Sequence, residues 1–447
     1  MLLARRILYR GYRLVSSTRY RARRRFTRAG LALLGGALIA GALSLDIAGS
    51  LSYQAFILLL SLIAVSLASS AVFRGRFSAA RLLPRFGTVG RPLFYRVVLR
   101  NETHTAQTGL ALLEDLADPR PGFVEFVALQ KAEEKRVRTF RVVRRGARRS
   151  FELARIQEAP VPTLLPGEEA EVRLELTPRK RGHIRFTGLT VARPDPLGLV
   201  KAFNRLSLPQ SLLVLPKRYP IPPIALPGTM KYQQGGVALA SSVGESEEFV
   251  SLRDYRHGDP LRHIHWRSWA KAGKPIVKEF QDEFFVRHAL VLDTFIDLPD
   301  SDMFEEAVSV AASFACTIQT QESLLDLLFV GPEAYCFTTG RGLAHTDQML
   351  EILAAVRVCR DKTFDALEHL VLDHLSAVSG CVCVLLAWDE QRQQLIQRLK
   401  MLGLPTLVLV VTEAGGAAAL EAGPLLDEPQ CFHVLEVGAV AEGLARL

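Results

Sequence analysis

The chain has 447 residues, of which 49% are hydrophobic, so it is long enough to form two or three domains with substantial cores. Its net charge of +9 arises at the N-terminus, because residues 1–28 contain ten arginines and no acidic residue. Without those ten arginines, 45 basic and 46 acidic residues remain. Residues 286–447 hold 9 basic and 23 acidic residues, and this charge excludes that region as a binder of nucleic-acid phosphates.

Two apolar runs follow the basic arm at residues 1–28. Ala29–Leu45 and Tyr53–Phe73 are each near the ~20 residues that a membrane-spanning helix needs, and only Asp46–Ser52 separates them. They predict a transmembrane hairpin over residues 29–73. A signal peptide is the alternative, but a 28-residue arginine-rich lead is too long for one, and a second apolar run follows directly.

Arginines flank both outer ends of the predicted hairpin. Arg28 precedes it and Arg74, Arg76 and Arg81 follow it, whereas the connecting loop carries only Asp46. Because positively charged flanks stay in the cytoplasm, both ends of the hairpin are predicted to be cytoplasmic. The nearest partner of the basic arm is then the anionic lipid of the bilayer rather than nucleic acid.

Short alternating apolar runs fill residues 76–215. Examples are Leu93–Leu99 and His183–Val191, with turn signals such as Pro166-Gly167-Glu168 between runs. This pattern is typical of an antiparallel β-sandwich. Residues 216–246 are first rich in proline and then small and polar, and they predict an extended linker that ends in a mobile loop.

The segment at residues 247–285 is dense in charges of both signs around two tryptophans and one tyrosine. Asp259-Pro260 predicts a helix start, Gly273 a left-handed helix end, and Ile276-Val277 a strand. A helix from about Pro260 to Lys271 is therefore expected. One face of this helix is expected to dock through Leu261, Ile264, His265, Ser268 and Ala272, and the other to present Arg262, Trp266 and Arg267.

Residues 286–447 alternate buried-type strands with amphipathic helices. This order predicts an α/β domain with a mostly parallel sheet covered on both faces. No glycine-rich phosphate loop follows any of the strands, which argues against nucleotide binding of that kind. All six cysteines lie here, and they are expected to be small core residues of a protein in the reducing cytoplasm.

Acidic residues at the carboxyl ends of two predicted strands suggest a ligand site. Asp293 and Asp389 occupy these ends, and Asp297 lies close behind the first. The three carboxylates are the candidate ligands of a Mg²⁺ ion, which prefers oxygen. Phe295 stands where a metal-ion-dependent adhesion site has its first hydroxyl, so the alternative is that Asp293 and Asp389 cap the helices that follow them.

Histidines offer a second chemical interpretation of the charged segment. His257, His263 and His265 lie near Asp254 and Asp259, which would suit a hydrolase that uses residues 254–265 for acid-base catalysis. The spacing scatters the histidines around a helix, and no serine or cysteine nucleophile has a recognisable setting. The sequence therefore favours a protein without catalytic residues over this alternative.

The charged segment also resembles a known family signature. Its pattern, E-F-x-x-L-R-x-Y-x-x-G-D-x-x-R-x-I-x-W with an alanine-basic pair and V-x-E-F behind it, is similar to that of the domain of unknown function 58 (DUF58) family. The residues that carry the resemblance are Glu248, Phe249, Leu252, Arg253, Tyr255, Gly258, Asp259, Arg262, Ile264, Trp266, Ala270, Lys271, Val277, Glu279 and Phe280. Lys271 stands where arginine is frequent, which keeps the charge but loses the planar fork. The resemblance extends to Arg181-Gly182 and to Asp195-Pro196-Leu197-Gly198-Leu199.

The resemblance implies a multidomain fold of a two-helix transmembrane hairpin, an antiparallel β-sandwich, and an α/β domain like von Willebrand factor A (Rossmann-type). It also implies a multi-pass protein of the bacterial inner membrane, with its soluble domains in the cytoplasm. Members are similar to proteins encoded beside MoxR-type AAA+ ATPases. The expected function is thus a non-enzymatic adaptor that works with such an ATPase on protein clients. A metal-dependent protein-binding module is a further alternative.

Two roles remain open for the signature residues. They are expected either to face a partner or to join the β domain to the α/β domain by internal pairing. The residues concerned are Glu248, Arg253, Tyr255, Gly258, Asp259, Arg262, Trp266, Lys271 and Glu279.

Overall fold

The fold was analysed in a computed structural model of the whole chain. It describes residues 2–447 except 44–50, 74, 119, 121, 125, 128–151, 223–248, 258, 260, 281–286, 297–300, 319–323, 340–342, 376–377 and 417–419. The chain forms two compact units: Met1–Lys217 with Asp297–Pro299, and Arg218–Ile296 with Asp300–Leu447. It is a multidomain α/β protein with several sheets.

Three helices open the first unit. They are α1 (Leu2–Arg25), α2 (Arg28–Leu43) and α3 (Leu51–Ala71). By length and composition, α3 is able to cross a membrane. The described part of α2 is apolar but has 16 residues, about 24 Å, against a hydrocarbon core of about 30 Å. The two helices pack against each other, with the Phe56 ring against Gly41.

The predicted basic arm is helical and folded onto the β domain. Tyr12 stacks on Phe126 and Tyr9 packs against the same ring at a tilt of 55°, with ring centroids 5.3 Å apart in both pairs. Near the end of α1, the Arg24 guanidinium binds the Asp115 carboxylate. The hydrophobic and ionic contacts on one face hold α1 along the domain surface.

In the described part of the first unit, nine strands form two sheets. They are β1 (Phe77–Leu82), β2 (Phe86–Thr88), β3 (Leu93–Asn101), β4 (Ala111–Leu116), β5 (Ala154–Ile156), β6 (Ala159–Pro160), β7 (Glu169–Pro178), β8 (Gly182–Pro194) and β9 (Lys201–Leu215). One sheet has the order β1-β3-β7-β5 and the other β2-β9-β8-β4-β6. Pairing is antiparallel except between β2 and β9. Both sheets contribute to a single apolar core that includes Val97, Leu174 and Val191, as a β-sandwich requires.

The prediction that Arg81 flanks the transmembrane hairpin is wrong. Arg81 is not a flanking residue of the apolar helices but is buried between the sheets, where its Nη2 donates to Glu114 Oε2 at 2.6 Å. Its guanidinium also lies 4.6 Å from the centre of the Phe186 ring. Tyr95 donates its hydroxyl to Glu114 at 3.0 Å. Burying such an ion pair carries a desolvation cost. Hydrogen bonds to its remaining polar atoms offset that cost, and they are present here.

The loop Asp195–Val200 ties the apolar helices to the β domain. Ser66 of α3 donates its hydroxyl to Asp195, and Thr27, just before α2, donates its backbone N–H to Leu199 O at 3.0 Å. Gly30 lets α2 approach so closely that a Cβ at this position would lie 2.1 Å from Leu199 O. Both apolar helices are therefore fixed to the same loop, which contains the family-like Asp195-Pro196-Leu197-Gly198-Leu199 sequence.

The second unit contains a two-stranded sheet and a six-stranded sheet. Its elements are β10 (Phe249–Asp254), α4 (Trp266–Ala272), β11 (Ile276–Phe280), β12 (Arg287–Leu292), α5 (Asp302–Ile318), β13 (Leu324–Val330), β14 (Ala334–Thr339), α6 (Leu343–Ala355), α7 (Asp365–His374), β15 (Gly380–Leu385), α8 (Glu390–Met401), β16 (Thr406–Thr412), β17 (Phe432–Glu436) and α9 (Val440–Leu444). The large sheet has the order β14-β13-β12-β15-β16-β17, and only β14 is antiparallel. The predicted mostly parallel sheet is confirmed.

Helices pack on both faces of the large sheet. Leu367 of α7 and Leu395 of α8 share a core with Val291 and Cys383. Helix α5 contacts β12, β15 and β16, and the strand residues on both faces are buried. Cys359, Cys381 and Cys383 are buried thiols, as expected of core residues, whereas Cys336 is exposed and Cys316 and Cys431 are half-buried, so the expectation holds for three of the six.

Most of the predicted linker at residues 216–246 lies outside the described residues. Its first part docks on α5, where Tyr219 is buried. The Tyr219 backbone N–H donates to Ser313 Oγ at 2.8 Å, and its hydroxyl donates to Glu306 Oε2 at 2.6 Å. Burial and the neighbouring carboxylate raise the pKa of Tyr219.

Candidate functional site

The signature segment folds into a strand pair that encloses a short helical connection. Strands β10 and β11 are antiparallel, with Arg253 opposite Val277. Ile264 forms a further bridge to Val277, and both side chains are buried. His265 donates its backbone N–H to Ile276 O at 2.9 Å, which fixes the connection to β11.

The connection differs from the single helix predicted over residues 260–271. It consists of a 3-10 helix at Leu261–His263 and then α4, since Ile264 leaves the helix to pair with β11. The predicted end is confirmed, because Gly273 has φ 68° and donates its N–H to Trp269 O at 2.9 Å. The apolar face predicted for one continuous helix is accordingly divided between two short ones.

Arg253 and Asp259 form a bidentate ion pair that closes the connection onto β10. The two guanidinium–carboxylate distances are 2.7 and 2.8 Å, and Asp259 also accepts the Arg256 backbone N–H at 2.8 Å. These hydrogen bonds, that of Arg253 first, lower the pKa of Asp259 to about 2. Asp259 thus accepts hydrogen bonds from Arg253 and from the turn that precedes it in the chain. The sequence had predicted instead that it caps the first turn of a helix.

An exposed aromatic and apolar surface lies on this framework. The Trp266 ring stacks on Trp269 at 5.2 Å and 15°, yet Trp266 is 64% exposed. Among the side chains of the segment that the structure describes, Leu261, 69% exposed, and Leu252, 41% exposed, are the other large apolar ones that face solvent. The exposed basic residues are Arg256, Arg267, Lys271 and Lys274. We call Leu252, Leu261 and Trp266 the signature surface.

The other predicted signature residues are described in part. Glu248 and Gly258 lie outside the described residues, and Arg262 and Glu279 are placed by their backbone only. Tyr255 donates its backbone N–H to Pro275 O at 3.0 Å. Asp254 pairs with Lys274 at 2.7 Å, with both side chains exposed. Two ion pairs of the segment, Arg253–Asp259 and Asp254–Lys274, join residues within the segment itself.

At the carboxyl edge of the large sheet, Asp293 is fully buried behind β12. Its Oδ1 accepts the Phe295 N–H at 2.9 Å, and its Oδ2 accepts the Leu386 N–H at 3.0 Å. The same Oδ2 accepts Arg392 Nε–H at 2.7 Å. Asp389 caps α8, as the alternative interpretation expected, by accepting the Arg392 backbone N–H at 3.2 Å.

Arg392 connects the two carboxylates that were candidates for Mg²⁺. Its Nη1 donates to Asp389 Oδ2 at 2.6 Å, and its Nη2 donates to Phe295 O at 3.2 Å. The guanidinium carbon lies 4.7 Å from the centre of the Phe364 ring. The arginine thus places positive charge between Asp293 and Asp389.

The third candidate ligand, Asp297, lies outside the described residues. Among the residues that are described, no group of three or more histidine, cysteine or acidic side chains is arranged to hold a metal ion. The Mg²⁺ site stays a prediction. Arg392 was missed by the sequence interpretation, although its position three residues after Asp389 at a helix start could have suggested the pair.

Among the contacts described for the segment, that of the His265 ring is to a serine and not to an acidic residue. His265 Nδ1 lies 2.6 Å from Ser268 Oγ, at the first turn of α4. Asp254 and Asp259 are bound instead to Lys274 and Arg253. This histidine–serine contact is local, since Ser268 also donates its backbone N–H to His265 O at 3.0 Å.

Comparison with known proteins agrees with the signature. Residues 251–409 match the family "Protein of unknown function DUF58". The uncharacterized protein YeaD of Bacillus subtilis (strain 168) is 29% identical over 184 residues, which are 40% of this chain and 44% of that protein. The match thus spans less than half of the curated relative. Over residues 251–409 the chain is therefore similar to the DUF58 family.

Solved structures give weak similarities. The CARDB domain of PF1109 from Pyrococcus furiosus is 14% identical, covers 31% of this chain and 94% of its own, and has a TM-score of 0.18. The PapD-like domain 7 of human CEP192 is 13% identical, covers 31% of this chain and 84% of its own, and has a TM-score of 0.17. Scores this low support no conclusion about function.

Proposed function

We propose that this protein is a membrane-anchored, non-enzymatic adaptor that presents the signature surface to a MoxR-type AAA+ ATPase or to its protein clients. The observation that carries the proposal is the exposure of Trp266 on a segment that the Arg253–Asp259 ion pair holds together. A large aromatic side chain left in solvent on a rigid support is typical of protein–protein contact sites.

The chemistry of the surface indicates the kind of partner. Trp266 and Leu261 supply apolar area, and stacking on Trp269 restricts the Trp266 ring before any partner arrives. Arg267 and Lys271 are exposed on the same short helix. An apolar pocket with a rim of carboxylates on the partner would complement this arrangement.

The anchor in this proposal is a two-helix transmembrane hairpin with both ends in the cytoplasm of a bacterium. Its support is the length and composition of α3, the packing of α2 against α3, and the arginines outside both ends. The loop Asp195–Val200 then holds the β-sandwich at the membrane surface. The α/β domain that contains the six-stranded sheet is proposed to be von Willebrand factor A-like.

The test is co-purification of the full-length protein in mild detergent with a MoxR-type ATPase from the same genome. The ATPase is trapped with ADP and vanadate, so that weak contacts are not lost through turnover. We expect recovery of the ATPase with the wild-type chain and a loss of at least about tenfold with Trp266→Ala, as for an aromatic hot spot.

Met401→Ala is the matched control, because Met401 is also a large exposed apolar residue, at the end of α8. It should leave recovery unchanged. If the wild-type protein recovers no ATPase in any nucleotide state, the adaptor proposal is wrong. If Trp266→Ala and Met401→Ala recover equal amounts, the signature surface is not the contact.

A hydrolase is the second candidate, favoured by the single contact between His265 Nδ1 and Ser268 Oγ. In a serine hydrolase such a contact activates the hydroxyl as a nucleophile. A fluorophosphonate probe tests this directly. Labelling that is lost in Ser268→Ala would establish the hydrolase, whereas the adaptor proposal expects no labelling of Ser268.

A further inference from the structure

Helix α1 has an apolar face opposite the face that binds the β domain. Ile7, Leu8, Leu14 and Val15 are all more than half exposed, and their i, i+1, i+7, i+8 spacing places them on one side of a helix. We call these four residues the exposed stripe. Leu14, at 71% exposed, is the most open of them.

The opposite side of α1 is occupied. Tyr9, Tyr12, Ser17 and Arg24 contact the β domain, and in a helix they project away from the exposed stripe. The hydroxyl of Ser17 accepts Arg120 Nη1–H at 2.6 Å. These contacts fix the rotation of α1 about its axis. The stripe is therefore held outward and is not free to turn inward.

Positive charge surrounds the exposed stripe. Arg10, Arg21 and Arg25 are exposed, and helical spacing places them on or beside the same side of α1. No acidic residue occurs in residues 1–28. An apolar stripe bordered by arginines is the pattern of a helix that lies in the plane of an anionic lipid interface. Nucleic acid would complement the arginines but not the stripe.

The end of α1 lies beside the apolar helices. Two residues separate α1 from α2, and Thr27 binds Gly198 O at 2.6 Å in the loop that also receives Ser66 of α3. The last turn of α1 is thereby tied to the point where the proposed membrane anchor meets the β domain. Lipid headgroups are the nearest surface of complementary chemistry.

We propose that α1 lies on the anionic face of the bilayer, with the exposed stripe inserted among the acyl chains and its arginines on the phosphates. Together with α2 and α3 it would hold the β domain at a fixed orientation to the membrane. A domain anchored by the hairpin alone would be free to tilt. This inference rests on the membrane anchor of the proposed function and adds a second, charge-dependent contact.

The test uses the full-length chain in nanodiscs with a ¹⁹F probe, 4-trifluoromethylphenylalanine, introduced at one position at a time. Dissolved oxygen relaxes probes in acyl chains, and a water-soluble nickel chelate relaxes probes in solvent. The probe replaces Leu14 of the stripe, Leu58 of α3, or Leu402 after α8, all of which are exposed in the folded chain. Discs contain phosphatidylcholine alone or with one third phosphatidylglycerol.

We expect the probe at Leu14 to respond to oxygen several times more strongly than to nickel in anionic discs, and to lose this preference in neutral discs. The probe at Leu402 should respond to nickel in both. Nickel access at Leu14 in anionic discs equal to that at Leu402 would overturn the inference. So would protection from both reagents, which indicates burial against protein, and so would an oxygen response that is equal in the two disc types.

The probe at Leu58 separates this inference from the anchor. An oxygen response at Leu58 with nickel access at Leu14 contradicts only the surface helix. Nickel access at Leu58 contradicts the anchor and the surface helix together.

Discussion

The carboxyl edge of the large sheet and the signature segment both concentrate charged side chains, but they differ in what they leave exposed. At the sheet edge, Arg392 binds Asp293 and Asp389, and the arginine and Asp293 are buried. In the signature segment, Arg253 and Asp259 also pair, but the pair supports an exposed Trp266. Charge density therefore does not distinguish the two regions, whereas the exposure of Trp266 does.

The largest effect on stability is expected from breaking the buried ion pair at the carboxyl edge of the large sheet. Arg392→Met removes the donor to Asp293 Oδ2 and leaves a fully buried carboxylate without its counter-charge. We expect the free energy of unfolding to fall by about 3–5 kcal/mol, the usual cost of breaking a buried ion pair. Urea denaturation of the purified protein, followed by tryptophan fluorescence, measures it.

Lys400→Met is the control for that change, since Lys400 is on the same helix and pairs with Asp427, whose side chain is 86% exposed. It should cost less than about 1 kcal/mol. Equal losses in the two variants would show that the Arg392 pair is no more important to the fold than a surface pair.

In the signature segment, the ion pair predicts a dependence of stability on pH. The pKa of Asp259 is about 2 in the folded chain, compared with about 3.9 in an unfolded one. Because the folded value is the lower, the pair stabilises the segment fully above about pH 4, and this contribution is lost as the pH falls toward 2. Fluorescence of Trp266 and Trp269, titrated from pH 6 to 2, should follow the loss.

Asp259→Asn should remove that transition and leave the remaining acid unfolding in place. A fluorescence midpoint near pH 4 in the wild-type protein would mean that Arg253 does not hold the carboxylate in solution.

The exposed part of the segment should contribute little to stability. Trp266→Ala is expected to change the free energy of unfolding by no more than about 0.5 kcal/mol, because the side chain is mostly in solvent. Ile264→Ala removes most of the buried side chain at the bridge to Val277. It should lower the free energy of unfolding by about 2 kcal/mol or more. Denaturation of the two variants side by side separates the residue that is proposed to bind a partner from the residue that stabilises the fold. A large loss with Trp266→Ala would make the tryptophan part of the core.

The smallest effect is expected from metal ions. Asp293 and Asp389 are occupied by Arg392, so calorimetric titration of the wild-type chain with Mg²⁺ or Ca²⁺ should give no heat up to millimolar concentration. Heat that disappears in Asp293→Ala would establish the Mg²⁺ site and the metal-dependent alternative.

Features that depend on neighbouring residues were predicted well. The alternation of strands and helices in residues 286–447 and the left-handed end at Gly273 follow from local spacing and backbone preference. The break at Ile264 was not predicted, because a contact with Val277 outweighs helix propensity there. The burial of Arg81 was missed for a related reason, since its partner Glu114 lies in another strand.

The helical arm shows the same limit. The arginine count correctly indicated a basic segment, but the docking of Tyr9 and Tyr12 on Phe126 joins residues more than a hundred positions apart. Long-range contacts of this kind leave no periodic signal in the sequence. In the candidate site, the residue types were predictable and their partners were not.

Under the proposed function, contact between position 266 and a partner protein is essential. It is tested most directly by placing the photo-crosslinker p-benzoylphenylalanine at Trp266 in the full-length chain in native membranes, with the crosslinker at Leu402 as the control. Our account predicts an ultraviolet-dependent adduct with the MoxR-type ATPase or with a client from position 266 and none from position 402. Adducts that form equally from both positions, or from neither while the ATPase is present, would contradict it.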